Sequence, residues 1–456
     1  MNTLLVLAGI GVFGLFSEIF RFKKALLPVV FLGLAAALVT TVCDWNTNVS
    51  YFNNMMKVDN FSLAFSAVMI CITMLWFIIS PGFFTDETSK SDHFTLILFA
   101  LTGGVLMSSF NNMVMLFLGI EILSISMYIL AGSNKKSLAS NEAAFKYFLM
   151  GSFATGFLLF GIALIYGATG SFDIDVIATR LSEGNLNSSV MLFAGILLTM
   201  IAMAFKVSAA PFHFWAPDVY QGAPTVITAF MSTVVKTAAV AAFFRLFIHT
   251  FTSMTEVWHT ALMIISAATI LVGNITAVYQ TNVKRMLAYS SIANAGYMLM
   301  AIVSMNSAAP SALLFYVIAY SVSSIASFTI LLMVSNSTGN DSIESFYGLG
   351  KKNPFLAIMT LISMLSLAGI PPTAGFFAKY YIFIAAMENH MMPLVLIAVL
   401  GSLIGVYYYF RVIIAMFRDG NEKEIDFSGR YKLVMIIAGI LALALGVAPG
   451  IVTGLL

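Results

Sequence analysis

Apolar residues run through this chain in long stretches, separated by short polar segments, and very few of the stretches alternate with the period of a surface helix. A membrane-crossing helix needs about 20 mostly apolar residues. Stretches of that kind occur near residues 2–20, 25–43, 60–80, 93–110, 113–132, 142–167, 188–221, 223–250, 257–279, 285–304, 309–335, 354–388, 392–417 and 432–453. The pattern predicts an all-α polytopic membrane protein of about 14 transmembrane helices. The fourth and fifth are cut apart only by Asn111 and Asn112.

Two of these segments, the seventh and the twelfth, are too long for a single crossing. Each carries prolines near its middle: Pro211 and Pro217 in one, Pro371 and Pro372 in the other. Proline removes a backbone donor and breaks a helix interior. Broken helices at membrane depth are tolerated where protein or a wet cavity satisfies the freed groups. Two of them five spans apart suggest a repeated five-helix unit, a design in which such pairs mark an ion pathway. The expected division is a three-helix segment over 1–92, a first five-helix repeat over 93–250, a second over 257–417, and a last helix over 432–456.

The connecting loops test this count. On one side they hold Arg21, Lys23, Lys24, Lys90, Lys135, Lys136, Lys284, Arg285, Lys351, Lys352, Arg418, Lys423, Arg430 and Lys432, and on the other only Lys57 and Arg180. The basic side is expected to be cytoplasmic, with both termini outside. The first span has no basic stretch before it and no small-residue cleavage site, so it is expected to be a retained helix rather than a signal peptide.

Composition sharpens the class. The chain is 60% hydrophobic and 9% charged, against roughly 25% charged in a soluble domain. A net charge of +2 gives no basic surface for nucleic acid. No glycine-rich phosphate loop or cysteine pair points to a nucleotide, metal or iron–sulfur site. Cys43 and Cys71 are expected to be small buried apolar residues.

Nine charges remain inside the spans: Glu18, Glu121, Glu142, Lys146, Lys206, Lys236, Arg245, Lys379 and Arg411. Glu18, Glu142, Arg245 and Arg411 lie near span ends, where snorkelling to the interface satisfies them. Glu121, Lys206, Lys236 and Lys379 lie deep. A central charge costs about 2.5–3.5 kcal/mol on insertion scales, so each needs a reason. Static ion pairs fixing helix positions are one, but lysines outnumber acids and pairing cannot neutralise them all. The other is proton transfer, because a buried lysine without a full counterion can release and rebind a proton near neutral pH. Ser208, His213, Thr237, Tyr289, Ser290 and Ser291 are candidates to carry protons between the lysines. Glu142 and Lys146 stand at i, i+4, the spacing of a helical ion pair, which serves either structure or proton uptake.

Four segments carry a resemblance. GIEILSISMYILAG (119–132), AFKVSAAPFHFWAPDVYQGAPT (204–225), QTNVKRMLAYSSIANAGYMLM (280–300) and SLAGIPPTAGFFAKYYIF (366–383) resemble, in order, the antiporter-like proton-pumping subunits of respiratory complex I. The resemblance implies fourteen helices containing two inverted five-helix repeats with the seventh and twelfth helices broken. It implies that Glu121 pairs with Lys206, that Lys236 is the connecting lysine of the eighth helix, and that Lys379 is the charged residue on the output side. Lysine rather than glutamate at 379 sets the chain apart from the M-type branch. Its end at Leu456 is expected to exclude the long lateral helix of the L-type branch. The resemblance also implies no cofactor on this chain: NADH, FMN, iron–sulfur clusters and quinone belong to partner subunits. The expected partners are other membrane-arm subunits, both antiporter-like and small ones, in a bacterial inner membrane. Two alternatives use the same lysines: a component of a multi-subunit cation/proton antiporter, and the membrane arm of a hydrogenase- or ferredoxin-linked complex.

Overall fold

The computed structural model describes residues 1–20, 23–82, 87–184, 189–420, 425 and 428–456. Arg21 and Lys423, counted above among the loop charges, lie outside the described residues, as do the side chains of Glu18, Lys23 and Lys24. Among the described residues, eleven helices are long and apolar enough to cross a membrane, and three shorter apolar ones accompany them: Asn2–Ser17, Val190–Lys206 and Pro354–Ala368. The last two are the first halves of the broken segments. The chain leaves the helical path after Lys206 and resumes over Trp215–Gly222, and it leaves after Ala368 and resumes over Ala374–Glu388. Both breaks expected from the prolines are present.

The outward faces explain the composition. Phe145, Phe153, Leu403 and Val190 are more than half exposed, and in a bilayer lipid tails cover such side chains. Cys43 and Cys71 belong to this outer surface: both thiols are free and exposed, not buried as expected. Sequence cannot separate the two cases, because lipid and a packed core are equally apolar. The helices at the centre of the bundle are Val283–Ser304, Ala309–Thr338 and the segment Thr225–Thr250, and they are almost wholly buried. Close packing there depends on small residues. A Cβ on Gly273 would lie 2.5 Å from the backbone nitrogen of Ala293, so the helices Thr255–Val278 and Val283–Ser304 cross nearly backbone to backbone.

One face carries an antiparallel hairpin, Val49–Tyr51 paired with Met56–Val58. Asp59 follows it and caps the helix Asn60–Ile79 in a capping box with Ser62. The same carboxylate receives Arg245 at 2.8 and 3.1 Å, and Arg245 also donates to the Ser108 carbonyl. Burial pushes the Asp59 carboxyl up, but the Arg245 charge and the Ser62 hydrogen bonds outweigh it and hold the group below its ordinary value. Arg245 is therefore an ion-paired structural residue, not one that snorkels. Removing one member of a buried pair costs about 3–5 kcal/mol, and partial exposure of Asp59 puts Arg245→Ala at about 3 kcal/mol. The expected result is a lower midpoint in detergent thermal unfolding, and an unchanged midpoint would remove the pair from the structural account.

The two halves of the chain share a backbone detail. Met113 N–H bonds the Phe172 carbonyl at 2.9 Å and Ile174 N–H bonds the Asn111 carbonyl at 3.1 Å; Val283 and Asp341, then Ile343 and Thr281, repeat the exchange at 2.7 and 3.0 Å. In each case an asparagine, Asn112 or Asn282, caps the helix that starts there.

Candidate functional site

Lys206 is the last residue of its half-helix, where unpaired carbonyls and the helix dipole favour a cation. It is 8% exposed, and its Nζ donates to Ser124 Oγ at 2.6 Å. Ser124 sits on Met113–Ala131, three residues after Glu121 and so on the same face. Glu121 accepts from Thr155 Oγ1 at 2.8 Å. Its charge reaches Lys206, yet among the described residues no ion pair within 4 Å joins the two. The ion pair implied by the resemblance is not formed in this structure; each of the two residues has a hydroxyl as its partner instead. A cavity of about 10 Å³ lined by Ser124, Tyr128, Thr155 and Lys206 lies beside the ammonium, about the room one water needs.

Lys236 occupies the centre of the bundle. The helix Thr225–Phe230 widens into a π turn over Met231–Val235 and resumes at Lys236–Arg245; such wide turns are frequent at functional sites. The lysine is 3% exposed and donates to Ser291 twice, to its carbonyl at 2.7 Å and its hydroxyl at 2.5 Å. No carboxylate pairs with it among the described residues.

Lys379 reaches back across the second break. Its Nζ donates to the carbonyl of Ala368, the last residue of the preceding half-helix, at 2.7 Å and to Ser402 Oγ at 2.9 Å. It also lies 5.2 Å over the Tyr297 ring. Gly369 turns the chain at φ +83°, and a Cβ there would lie 2.8 Å from the Lys379 side chain. Lys379 thus meets the carbonyl end of a half-helix, whereas the Lys206 ammonium meets a hydroxyl.

Polar residues on Val283–Ser304 and its neighbours run from the Lys236 site toward Lys379. Ser290, beside Ser291, bonds the Tyr409 hydroxyl. Asn294 donates to the Ser290 carbonyl at 2.8 Å and accepts from Tyr316 at 2.7 Å. A second cavity of about 10 Å³ is lined by Asn294, Tyr316, Tyr320, Ser366 and Lys379. Tyr408 and Asn274 add a branch to Tyr297 at 3.0 and 3.3 Å. Sequence reasoning named Ser290 and Ser291 but missed Asn294, Tyr316, Tyr409 and Asn274. The available signal was an asparagine inside an apolar span, which needs buried partners.

The other candidates separate from this row. Thr237 bonds the Thr233 carbonyl, with Ser321 at 3.5 Å, and remains near Lys236 in sequence only as a helix neighbour. Tyr289 faces Arg285. Ser208, at φ +63°, and His213 lie buried in the first break, and the Ser208 hydroxyl has no hydrogen-bond partner among the described residues. Glu142 and Lys146 form the expected ion pair at 2.7 Å. Lys146 also bonds Asp218 at 2.9 Å and Arg285 bonds the same carboxylate at 2.8 Å, around an open cavity of about 310 Å³. Asp218 thereby ties the second half-helix to two neighbours. Lys284, counted above as a loop charge, is buried instead and donates to the carbonyls of Gln221 and Ala223 at 3.1 and 2.5 Å, closing the carbonyl end of that half-helix.

A bundle with two broken helices and a central row of buried lysines defines a membrane-embedded subunit of the antiporter-like class. The chain matches the family described as "NADH:quinone oxidoreductase/Mrp antiporter, TM" over residues 110–405. It belongs to that family. It is 46% identical to NADH-quinone oxidoreductase subunit N of Cytophaga hutchinsonii over 99% of this chain and 98% of that one. The same-named protein of Flavobacterium psychrophilum is 43% identical over the full length of both. A chain of respiratory complex I from Thermus thermophilus superposes with a TM-score of 0.87 at 32% identity, covering 99% and 98% of the two chains. A chain of the Mrp complex from Dietzia shares the fold with a TM-score of 0.86 at 19% identity, over 100% and 95%.

Proposed function

We propose that this chain is the proton-translocating membrane-arm subunit of an NADH–quinone oxidoreductase. The observation that carries the reading is the set of three buried amines, Lys206, Lys236 and Lys379, each held by a serine hydroxyl, with a small cavity beside the first and the last. Each amine exchanges its hydrogen-bond partner, not its place, when a proton arrives or leaves. Glu121 acts on the first of them and sets when Lys206 holds its proton. Lys379 delivers outward past Ser402. The full-length match to proteins named subunit N supports the redox-coupled assignment over the antiporter and hydrogenase-linked alternatives. Oxidation of NADH, with its FMN, iron–sulfur clusters and quinone, takes place in partner subunits, and neighbouring antiporter-like and small membrane subunits flank this chain.

The repeated backbone exchange at Asn112 and Asn282 supports two inverted five-helix units over 93–250 and 257–417, preceded by 1–92 and followed by 432–456. The basic loops, Lys351 and Lys352 among them, support a cytoplasmic assignment for the face opposite the hairpin. Both termini then lie on the outer side of a bacterial inner membrane. Proton uptake enters by the open cavity at Glu142, Lys146 and Asp218, and His213 lies further along, within the first break.

The test is a purified complex in sealed vesicles. Lys379→Met is expected to leave NADH oxidation measurable while protons pumped per NADH fall by the share of one channel. Full stoichiometry in that variant would remove Lys379 from the route. Quinone-reductase subunits and their redox centres are expected to co-purify with the chain in mild detergent; antiporter subunits in their place would overturn the redox coupling.

A further inference from the structure

We propose that Ser124 and Thr155 are positioning residues that hold Glu121 and Lys206 apart, each hydroxyl occupying one partner of the pair. The inference rests on the relay reading above and adds the device that keeps its first step poised.

Lys206 is buried and Glu121 half-buried; at low dielectric a carboxylate and an ammonium attract strongly, and the bare pair would close. It does not close here. Ser124 takes the ammonium at 2.6 Å, and Thr155 donates to Glu121 Oε1 at 2.8 Å. The two hydroxyls come from different helices, Met113–Ala131 and Leu138–Thr169, so the separation depends on how those helices sit. Ser124 is fully buried and its hydroxyl donates a hydrogen bond to the Ile120 carbonyl, which leaves its oxygen as an acceptor facing Lys206. Both hydroxyls and Tyr128 line the 10 Å³ cavity. Glu121 is the one acid, among the described residues, whose charge acts on Lys206.

This arrangement is specific to the first half of the molecule. Lys379 is held by the Ala368 carbonyl and Ser402, and among the described residues no carboxylate acts on it as Glu121 acts on Lys206. A closed pair would lock the proton on Lys206, and a pair too far apart would not sense Glu121 at all. Two hydroxyls set an intermediate separation. A small shift between the two helices would then open or close the pair, which gives a neighbouring subunit a mechanical way to drive it.

The experiment uses the intact complex in sealed vesicles with NADH and quinone, and follows proton pumping against pH. Ser124→Ala and Thr155→Val each let the pair close. Pumping through this channel is expected to fall about tenfold, the loss of one hydrogen bond to a charged group. The surviving activity is expected to move about one pH unit toward alkaline conditions. Ser124→Thr and Thr155→Ser restore both. Because the two hydroxyls lie on separate helices, one variant remains informative if the other fails to assemble. Normal pumping and an unmoved profile in the hydroxyl variants, with pumping lost in Lys206→Met, overturn this proposal and leave the relay standing. A fall in pumping without a shifted profile also overturns it, since a packing role would do that. Normal pumping in Lys206→Met overturns the relay itself.

Discussion

Lys206→Arg and Lys206→Met are both expected to stop proton translocation by this subunit. The pair of substitutions separates two reasons for keeping a cation at mid-membrane. If Lys206 only anchors helices, arginine keeps the positive charge next to Ser124 and Glu121 and retains most function. If it passes protons, arginine fails, because a guanidinium does not deprotonate in a protein. Methionine has a similar length and no charge, so it removes the proton site with little change in packing. The geometry favours the second case. Among the described residues, Lys206 has a hydroxyl partner and no ion pair, Lys236 has a serine and no acid, and Lys379 has a carbonyl and a serine. Three cations held by neutral acceptors are poorly suited to bracing helices, since an ion pair would brace them better. A loss of at least tenfold in pumping through this channel is expected for both variants, with NADH oxidation still measurable in the assembled complex. Pumping retained by Lys206→Arg alone would assign the residue to structure.

The positions of these lysines were legible in the sequence, because a charge inside a twenty-residue apolar run has nowhere else to be. The two breaks were legible for the same kind of reason: Pro211 and Pro371–Pro372 sit inside segments too long to be single helices. What the sequence could not supply was distance. Glu121 and Lys206 read as partners, and their separation by Ser124 and Thr155 depends on helix rotation, which apolar composition does not encode. The membrane pattern hides rotation, since outward and inward faces are both apolar, and the exposed Cys43 and Cys71 are the plainest instance. Lys284 was misassigned because a lysine at a helix start reads as a loop charge, and only the tertiary fold brings the carbonyls of Gln221 and Ala223 to it. The hairpin at Val49–Tyr51 and Met56–Val58 went unseen because three-residue strands carry too little pattern to register.

Gly375→Ala is expected to disrupt the second break more than any other single methyl in its neighbourhood. A Cβ at that position would lie 1.7 Å from the Ser366 carbonyl oxygen and 2.6 Å from its carbon. Backbone atoms cannot rotate aside as a flexible side chain could, so the half-helix Ala374–Glu388 must move bodily. Ser366→Ala gives no relief, because the clash is with the main chain. Movement is resisted on the far side as well: a Cβ on Gly446 would meet the Pro372 carbonyl at 2.0 Å, so the last long helix already presses on the break. Overpacking of this kind typically costs about 1–3 kcal/mol, and more where the backbone is pinned. The displaced half-helix carries Lys379, and Ser366 and Gly375 line the cavity beside it. Stability and pumping should therefore fall together. The expected result is a several-fold lower yield of assembled complex and reduced proton pumping per NADH in what remains. Gly450→Ala is the matched control, because no heavy atom lies within 4 Å of the added carbon, and it should change stability by no more than about 0.5 kcal/mol. Equal yields and equal pumping for the two alanine variants would mean that the contact between the half-helices does not hold Lys379 in place.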